Sequence, residues 1–239
     1  MAIVKKDSSS QQIVDYIIRQ IETRELKPGD KLMNERNFAE FLGVSRVPLR
    51  EAICALTNLG IVDVKPGGGT FVSKFSPNTF GKLIYSYSLL GSDKTSEIFE
   101  ARLYMEADIA RIAAEKARPD DILKIEQAIK HHENSISDFE KGILSLEEMF
   151  ILNDRVHMAI AEASHNDFFF QFVDAIRKAS IEQHLYSSHY TDTAWSFRRA
   201  AERHWNVCRA INSKKPENAY NEMFLHGVQV ESDAFSAPK

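Results

Sequence analysis

A chain of 239 residues, 44% of them hydrophobic, has enough apolar material for one or two domains with cores of their own. No apolar run approaches the ~18 residues that a membrane span needs, and no basic-plus-apolar leader opens the chain, so the expectation is a cytoplasmic protein without a membrane partner. Cys54 and Cys208 are far apart and lack CxxC spacing, which argues against a disulfide framework; Cys54 reads as a small packing residue. The net charge of -4 excludes a surface coated evenly for nucleic acid. It is shared unevenly, however: residues 1 to 75 hold 11 Lys+Arg against 9 Asp+Glu, a net of +2, and the remainder 19 against 25, a net of -6. A mildly basic head on an acidic body allows nucleic-acid binding at one end.

In chain order, Ile13, Val14, Ile17, Ile18 and Ile21 repeat with helical spacing, predicting a first helix over about 10–24 that stops before the turn Lys27-Pro28-Gly29-Asp30. Asn34 is placed to cap a second helix from Glu35 to Leu42, with Phe38, Ala39 and Leu42 inward, and Gly43 suits the position after it. A third helix follows at once, with Ser45 at its N-cap and Pro48 in its first turn. Leu49, Ala52, Ile53 and Leu56 form its buried stripe, and Arg46 and Arg50, one turn apart, share another face. Because Pro48 has no amide, the Ser45 hydroxyl is left with Val47 or with a phosphate. Two guanidiniums near a helix start suit base edges or phosphates in a major groove; the alternative is a solvated helix with salt-bridged arginines.

Next come two short β-prone runs, Ile61 to Lys65 and Thr70 to Ser73, around Pro66-Gly67-Gly68-Gly69. The glycines lack the Gly-Lys-Ser/Thr ending of a phosphate loop and open no helix. As a wing they can approach a sugar-phosphate backbone, with Lys65 and Lys74 as counter-charges and Thr70 as a donor. Residues 1–75 are therefore expected to be a winged helix-turn-helix domain, with a linker over 76–80.

Residues 81–239 read as an all-α bundle of six or seven helices: Phe80 to Leu90, Thr95 to Ala117, Asp120 to Phe139, Leu146 to Ser164, Asp167 to Tyr186, Ala194 to Asn212 and Pro216 to Ser232. The fold class is mainly α. His157, His204 and His226 fall on three different predicted helices, and Asn153 lies one turn before His157 on the same face. Three imidazoles and one oxygen can hold a divalent transition metal; three separate core or surface histidines are the alternative. His131, His132, His184 and His189 read as surface or helix-end residues. Arg102, in a stripe otherwise apolar at Ile98, Leu103 and Met105, is either a buried anchor for a carboxylate or the salt-bridge partner of Glu106. Against a helical-bundle metalloenzyme, the chain has no H-E-x-x-H, and Glu162 to His165 is its only E-x-x-H.

Residues 11 to 73 resemble the N-terminal domain of the GntR family of bacterial transcription regulators. The matching segments are Leu26-Lys27-Pro28-Gly29-Asp30-Lys31-Leu32, Glu35-Arg36, Leu42-Gly43-Val44-Ser45-Arg46, Pro48-Leu49-Arg50-Glu51-Ala52 and Gly69-Thr70-Phe71-Val72. The resemblance implies operator contacts by Arg36, Ser45, Arg46 and Arg50 together with the wing glycines Gly67, Gly68 and Gly69. The chain departs at Met33-Asn34, where Pro-Ser is common, and at Val47, where Thr is common, so one phosphate-binding hydroxyl is lost.

Residues 95 to 230 are similar to the FCD type of effector domain, the FadR-like subfamily, through Glu100-Ala101-Arg102 with Glu106, Asn153 to His157, Ala163-Ser164-His165-Asn166, Glu202-Arg203-His204 and Met223 to His226. In metal-binding members an Asp stands where this chain has Asn153, and three histidines match His157, His204 and His226. A neutral amide is the weaker partner for a dication, and Asp154, turned roughly 100° along the helix, is no substitute. The resemblance implies a homodimer on a palindromic double-stranded DNA operator, controlled by a small carboxylate, an organic or sugar acid, bound at Arg102 and at or near zinc or nickel. A regulator for which the metal ion is itself the signal is the alternative.

Overall fold

The structure, a computed structural model, describes residues 8–74, 81, 94–182 and 193–235. Its contacts divide the chain into two compact units, Met1–Thr79 and Phe80–Lys239. The expected linker over 76–80, the helix from Phe80 to Leu90 (apart from Gly81) and His184 and His189 lie outside the described residues.

In the first unit, helix α1 (Ser9–Glu22) starts where the Ser8 side chain accepts from the Gln11 amide, and it buries Ile13, Val14 and Ile17. Helix α2 (Glu35–Leu42) is capped by Asn34, whose Oδ1 accepts from the Asn37 amide at 2.9 Å. It ends at Gly43, whose φ of +67° is the left-handed geometry that glycine adopts without strain. Helix α3 (Arg46–Asn58) buries Leu49, Ala52, Ile53 and Leu56, the stripe read from the sequence, against α1 and α2. Ser45 stands at its N-cap and makes no side-chain capping bond; Pro48 removes one of the two amides that such a bond could use, and the Val47 amide is not taken up. Cys54 is exposed on this helix, not a packing residue: one position past Ile53, it turns away from the stripe.

Strands β1 (Val62–Lys65) and β2 (Gly69–Val72) pair antiparallel from Val62 with Val72 to Lys65 with Gly69, and Lys31 bridges to Phe71 on the far side of β2. Alternation turns Thr70 and Val72 inward. Three helices and this hairpin close over one core built on Ile17, Leu49, Leu56 and Val62: a winged helix-turn-helix.

In the second unit the described residues form six helices: α4 (Lys94–Lys116), α5 (Pro119–Glu140), α6 (Leu146–Ala163), α7 (Asp167–Glu182), α8 (Thr193–Asn212) and α9 (Pro216–Phe235). Their starts are locally encoded. Ser145 and Glu148 form a reciprocal capping box on α6, and the Asp121 carboxylate accepts from the Arg118 amide at the start of α5. Helix α4 packs on α9, α5 on α6 and α8, and α6 on α7. The small side chains of Ala107, Ala110, Ala113, Ala114 and Ala117 form the buried ridge of α4. Approach is so close that a Cβ added to Gly227 on α9 would lie 2.4 Å from Leu103 Cδ1 on α4. A second apolar cluster gathers Phe99, Ile136, Met149, Phe150, Leu152 and Phe197. No helix among the described residues is long and apolar enough to cross a membrane.

Leu49, fully buried on the inner face of α3, carries the first prediction. Leu49→Ala is expected to destabilise this unit by about 2–5 kcal/mol, measured as faster amide hydrogen exchange confined to peptides within residues 9–72, with the helical unit unchanged.

Candidate nucleic-acid interface and metal centre

On the first unit, Arg36, Ser45, Arg46 and Arg50 are all exposed. The two arginines of α3 meet one carboxylate. Glu35 Oε2 lies 2.7 Å from Arg50 Nε and 3.4 Å from Arg46 Nη2. The Arg50 contact, with Arg46 behind it, lowers the Glu35 pKa. Such exposed pairs are worth ~0–1 kcal/mol, so Glu35 aligns the forks without holding them against a stronger partner. The structure thus shows the salt-bridged arrangement, in contacts weak enough to leave the major-groove reading open to the same two side chains.

The wing tip holds Gly67 and Gly69 at φ of +69° and +102°, the left-handed region open to glycine. Lys65 lies over the Phe71 ring, 4.9 Å from its centroid, and its side chain is exposed on the hairpin. Thr70 is only 8% exposed. It occupies an inward register of β2, which leaves it little surface for the expected role as a phosphate donor.

In the helical unit the structure draws together histidines from three helices. His157 (α6), His204 (α8) and His226 (α9) are all buried, with one ligating atom from each within 4.8 Å of the others. His204 Nε2 lies 3.0 Å, and His226 Nε2 3.2 Å, from His157 Nε2. At His157, Nδ1 lies 2.7 Å from Glu106 Oε2 on α4. A proton on that Nδ1, facing the carboxylate, leaves Nε2 with the lone pair that a metal takes, although the contact is not aligned as a hydrogen bond. Burial, reinforced by the Arg177 charge, lowers the His157 pKa to about 4; burial likewise drives His204 and His226 well below the ordinary range. All three are neutral at pH 7, the form that binds metal. Metal–nitrogen bonds of ~2.0–2.1 Å put neighbouring donor atoms roughly 3 Å apart, which matches the spacing here. The donor set fits a transition metal. Asn153, one turn before His157, has a buried Oδ1 with no hydrogen-bond partner among the described residues, and the Nδ1 atoms of His157, His204 and His226 are likewise buried without one.

Around this trio sits a ring of charge. Arg177 on α7 grips Glu106 with two bonds, Nε to Oε1 at 3.0 Å and Nη2 to Oε2 at 2.7 Å, and its Nη1 pairs with Asp154. Arg102, 7% exposed, makes the longer contact of 3.4 Å to Glu106 Oε1 and lies over the Phe99 ring. Burial alone would raise the Glu106 pKa; Arg177, His157 and Arg102 bring it well below the ordinary value. The Asp154 pKa, by contrast, is pushed up by burial despite Arg177.

His132 corrects the sequence reading. Far from being a surface residue, it is fully buried, 5.7 Å from Phe197 and 6.1 Å from His204 between ring centroids. The signal was present: Ile125, Ile129, His132 and Ile136 share one helical stripe. Arg177, which the sequence reading did not single out, follows Val173 by one turn in the same way, the signal that had exposed Arg102.

A winged helix-turn-helix with exposed guanidiniums, carried on the same chain as a helical unit with a buried histidine trio, defines a DNA-binding transcription regulator. The sequence matches "Bacterial regulatory proteins, gntR family" over residues 9–72 and "FCD domain" over residues 97–228. The chain belongs to the GntR family, with an FCD domain as its second unit, and is a regulator rather than an enzyme. It is 29% identical over 217 residues to the HTH-type transcriptional regulator LutR of Bacillus subtilis, covering 88% of this chain and 94% of that one. It is 31% identical over 225 residues to the putative L-lactate dehydrogenase operon regulatory protein of Escherichia coli, covering 91% and 83%. The solved structure of Streptococcus agalactiae GntR superposes with a TM-score of 0.67 at 26% identity, over 92% of this chain and 98% of that one.

The neutral histidines set the acid response of the metal-stripped protein. From about pH 6.5 downward the unfolded chain takes up protons on these rings, while folded His132 and His157 resist until about pH 4. Stability is thus lost as pH falls, by ~1.4 kcal/mol per pH unit for each such ring. Glu106 adds to the loss only below the ordinary glutamate range, since its depressed pKa stabilises the fold above it. Urea unfolding followed through Trp195 and Trp205, both on α8, is expected to show a midpoint falling between pH 7 and pH 5; a flat profile contradicts the neutral assignment.

Proposed function

We propose that this protein is a ligand-responsive transcription regulator. It binds a palindromic operator as a homodimer through Arg36, Ser45, Arg46, Arg50 and the wing residues Lys65, Gly67, Gly68 and Gly69, in the cytoplasm. It responds to a small carboxylate, an organic or sugar acid, bound at or near a zinc or nickel ion held by His157, His204 and His226 with Asn153. The domains are residues 1–75 for DNA and 81–239 for effector and dimerisation, joined by 76–80.

The single observation carrying this reading is the convergence of three neutral, buried Nε2 atoms at 3.0 and 3.2 Å, which only a cation or shared protons can reconcile. A metal with few protein ligands keeps positions for water or a ligand carboxylate. Arg102 is the proposed anchor for that carboxylate, its contact with Glu106 being the looser of the two arginine contacts there. A carboxylate effector also accords with the E. coli relative named for an L-lactate dehydrogenase operon. A ligand that favours one arrangement of the body by about 1–3 kcal/mol changes operator occupancy 5- to 150-fold.

Arg46→Ala and Arg50→Ala are each expected to weaken operator binding by ~1–3 kcal/mol with folding intact; unchanged gel-shift affinity in both refutes the DNA assignment. Protein purified without a metal-affinity tag is expected to carry about one transition metal per chain by elemental analysis, lost in His204→Ala. A thermal-shift screen of organic and sugar acids with and without zinc or nickel then separates the two signals. Stabilisation by an acid only in the presence of metal supports the effector reading, whereas operator affinity that follows metal alone supports a metal sensor.

A further inference from the structure

The metal-binding tautomer places a demand on His204 that His157 does not share. With its Nε2 turned to His157 at 3.0 Å, His204 must carry its proton on Nδ1 to leave Nε2 free for a metal. For His157 the corresponding atom at least faces the Glu106 carboxylate, 2.7 Å away, though the contact is not aligned as a hydrogen bond. For His204 the Nδ1 atom is buried and finds no acceptor among the described residues. Outside the trio, the ring packed edge-on against His204 is His132, itself fully buried with neither nitrogen bonded.

His132 is anomalous on packing grounds. It sits on α5 between Ile129 and Ile136, with its ring at 83° to Phe197, a place that an apolar side chain would fill without stranding polar atoms. A neutral imidazole carries one N–H and one lone pair, and burial holds this one neutral. Its centroid distance of 6.1 Å from His204 is long for a direct bond between the rings. It suits two hydrogen bonds of about 2.8–3.0 Å through one water.

We propose that His132 is a positioning residue for the metal centre: through one buried water its lone pair takes the Nδ1 proton of His204, fixing the tautomer whose Nε2 faces the ion. The inference rests on the metal reading above and extends it to a residue outside the ligand set. Outer partners of this kind orient the ligand ring, and their loss costs about 10- to 100-fold in metal affinity.

The test measures zinc affinity of the full chain, stripped with chelator, by competition against a chromophoric chelator. His132→Phe preserves the ring packed on Phe197 and removes the acceptor; His132→Gln returns one. His132→Phe is expected to bind zinc about 10- to 100-fold more weakly, with His132→Gln recovering part of the loss. In zinc-loaded wild type the His204 Nδ1 proton is expected to be visible in imidazole ¹H–¹⁵N spectra. Equal zinc affinity in wild type and His132→Phe overturns the proposal and leaves the metal centre standing. Wild-type protein that takes up no zinc overturns both. If His132→Phe does not fold, by the fluorescence of Trp195 and Trp205, the spectrum of the wild type decides: a His204 Nδ1 proton lost to rapid solvent exchange overturns the proposal.

Discussion

The helical unit depends on one buried carboxylate. Glu106 receives the fork of Arg177, a longer contact from Arg102 and the Nδ1 side of His157, and so ties α4, α6 and α7 at a point where no solvent compensates charge. Buried ions are costly unless paired and fully bonded. Here Glu106 and Asp154 stand against Arg102 and Arg177, a cancelling set, and the three histidines add nothing because burial keeps them neutral. On the proposed reading, a dication entering this set brings two uncompensated positive charges, since Asn153 supplies a neutral oxygen where the resemblance to metal-binding FCD domains implies a carboxylate. An anionic ligand is the natural complement. The substitution at position 153 thus bears on more than metal affinity, because it shifts the burden of neutralisation to whatever occupies the remaining coordination positions.

The DNA-binding unit follows the opposite logic. Its charges are exposed, and the contacts of Glu35 with Arg46 and Arg50 are weak enough to be exchanged for phosphates or base edges. What is rigid there is apolar: α3 is fixed from beneath by Leu49, Ala52 and Leu56, so its outer face is presented in a defined orientation while its charged groups stay free to re-pair. Ser45, which makes no capping bond, belongs to that adaptable set.

Much of this was legible in the sequence because local rules and global packing agree. Helical periodicity marked the stripe of α3. Asn34, Gly43 and the Ser145–Glu148 box marked helix ends through their own backbone chemistry. The three histidines could be paired with Asn153 by spacing and by resemblance. Their convergence was not visible, because it depends on how α6, α8 and α9 pack, which periodicity along one helix does not encode. Thr70 and Cys54 were misjudged for a related reason: each depends on which side of its element faces the core. His132 and Arg177 were missed although both lie on apolar stripes. A polar residue on such a stripe reports either an error in the predicted face or a buried function, and the sequence reading weighed that choice for Arg102 alone.

Gly227 follows His226 directly, at the point where α9 comes within a side chain's thickness of Leu103 on α4. With no Cβ to act as a spacer, the backbone of α9 rests on the Leu103 side chain of α4. The residue that carries the third imidazole is thus followed at once by the contact that sets the gap between the two helices, so any larger side chain at position 227 would wedge that gap open beside the histidine trio.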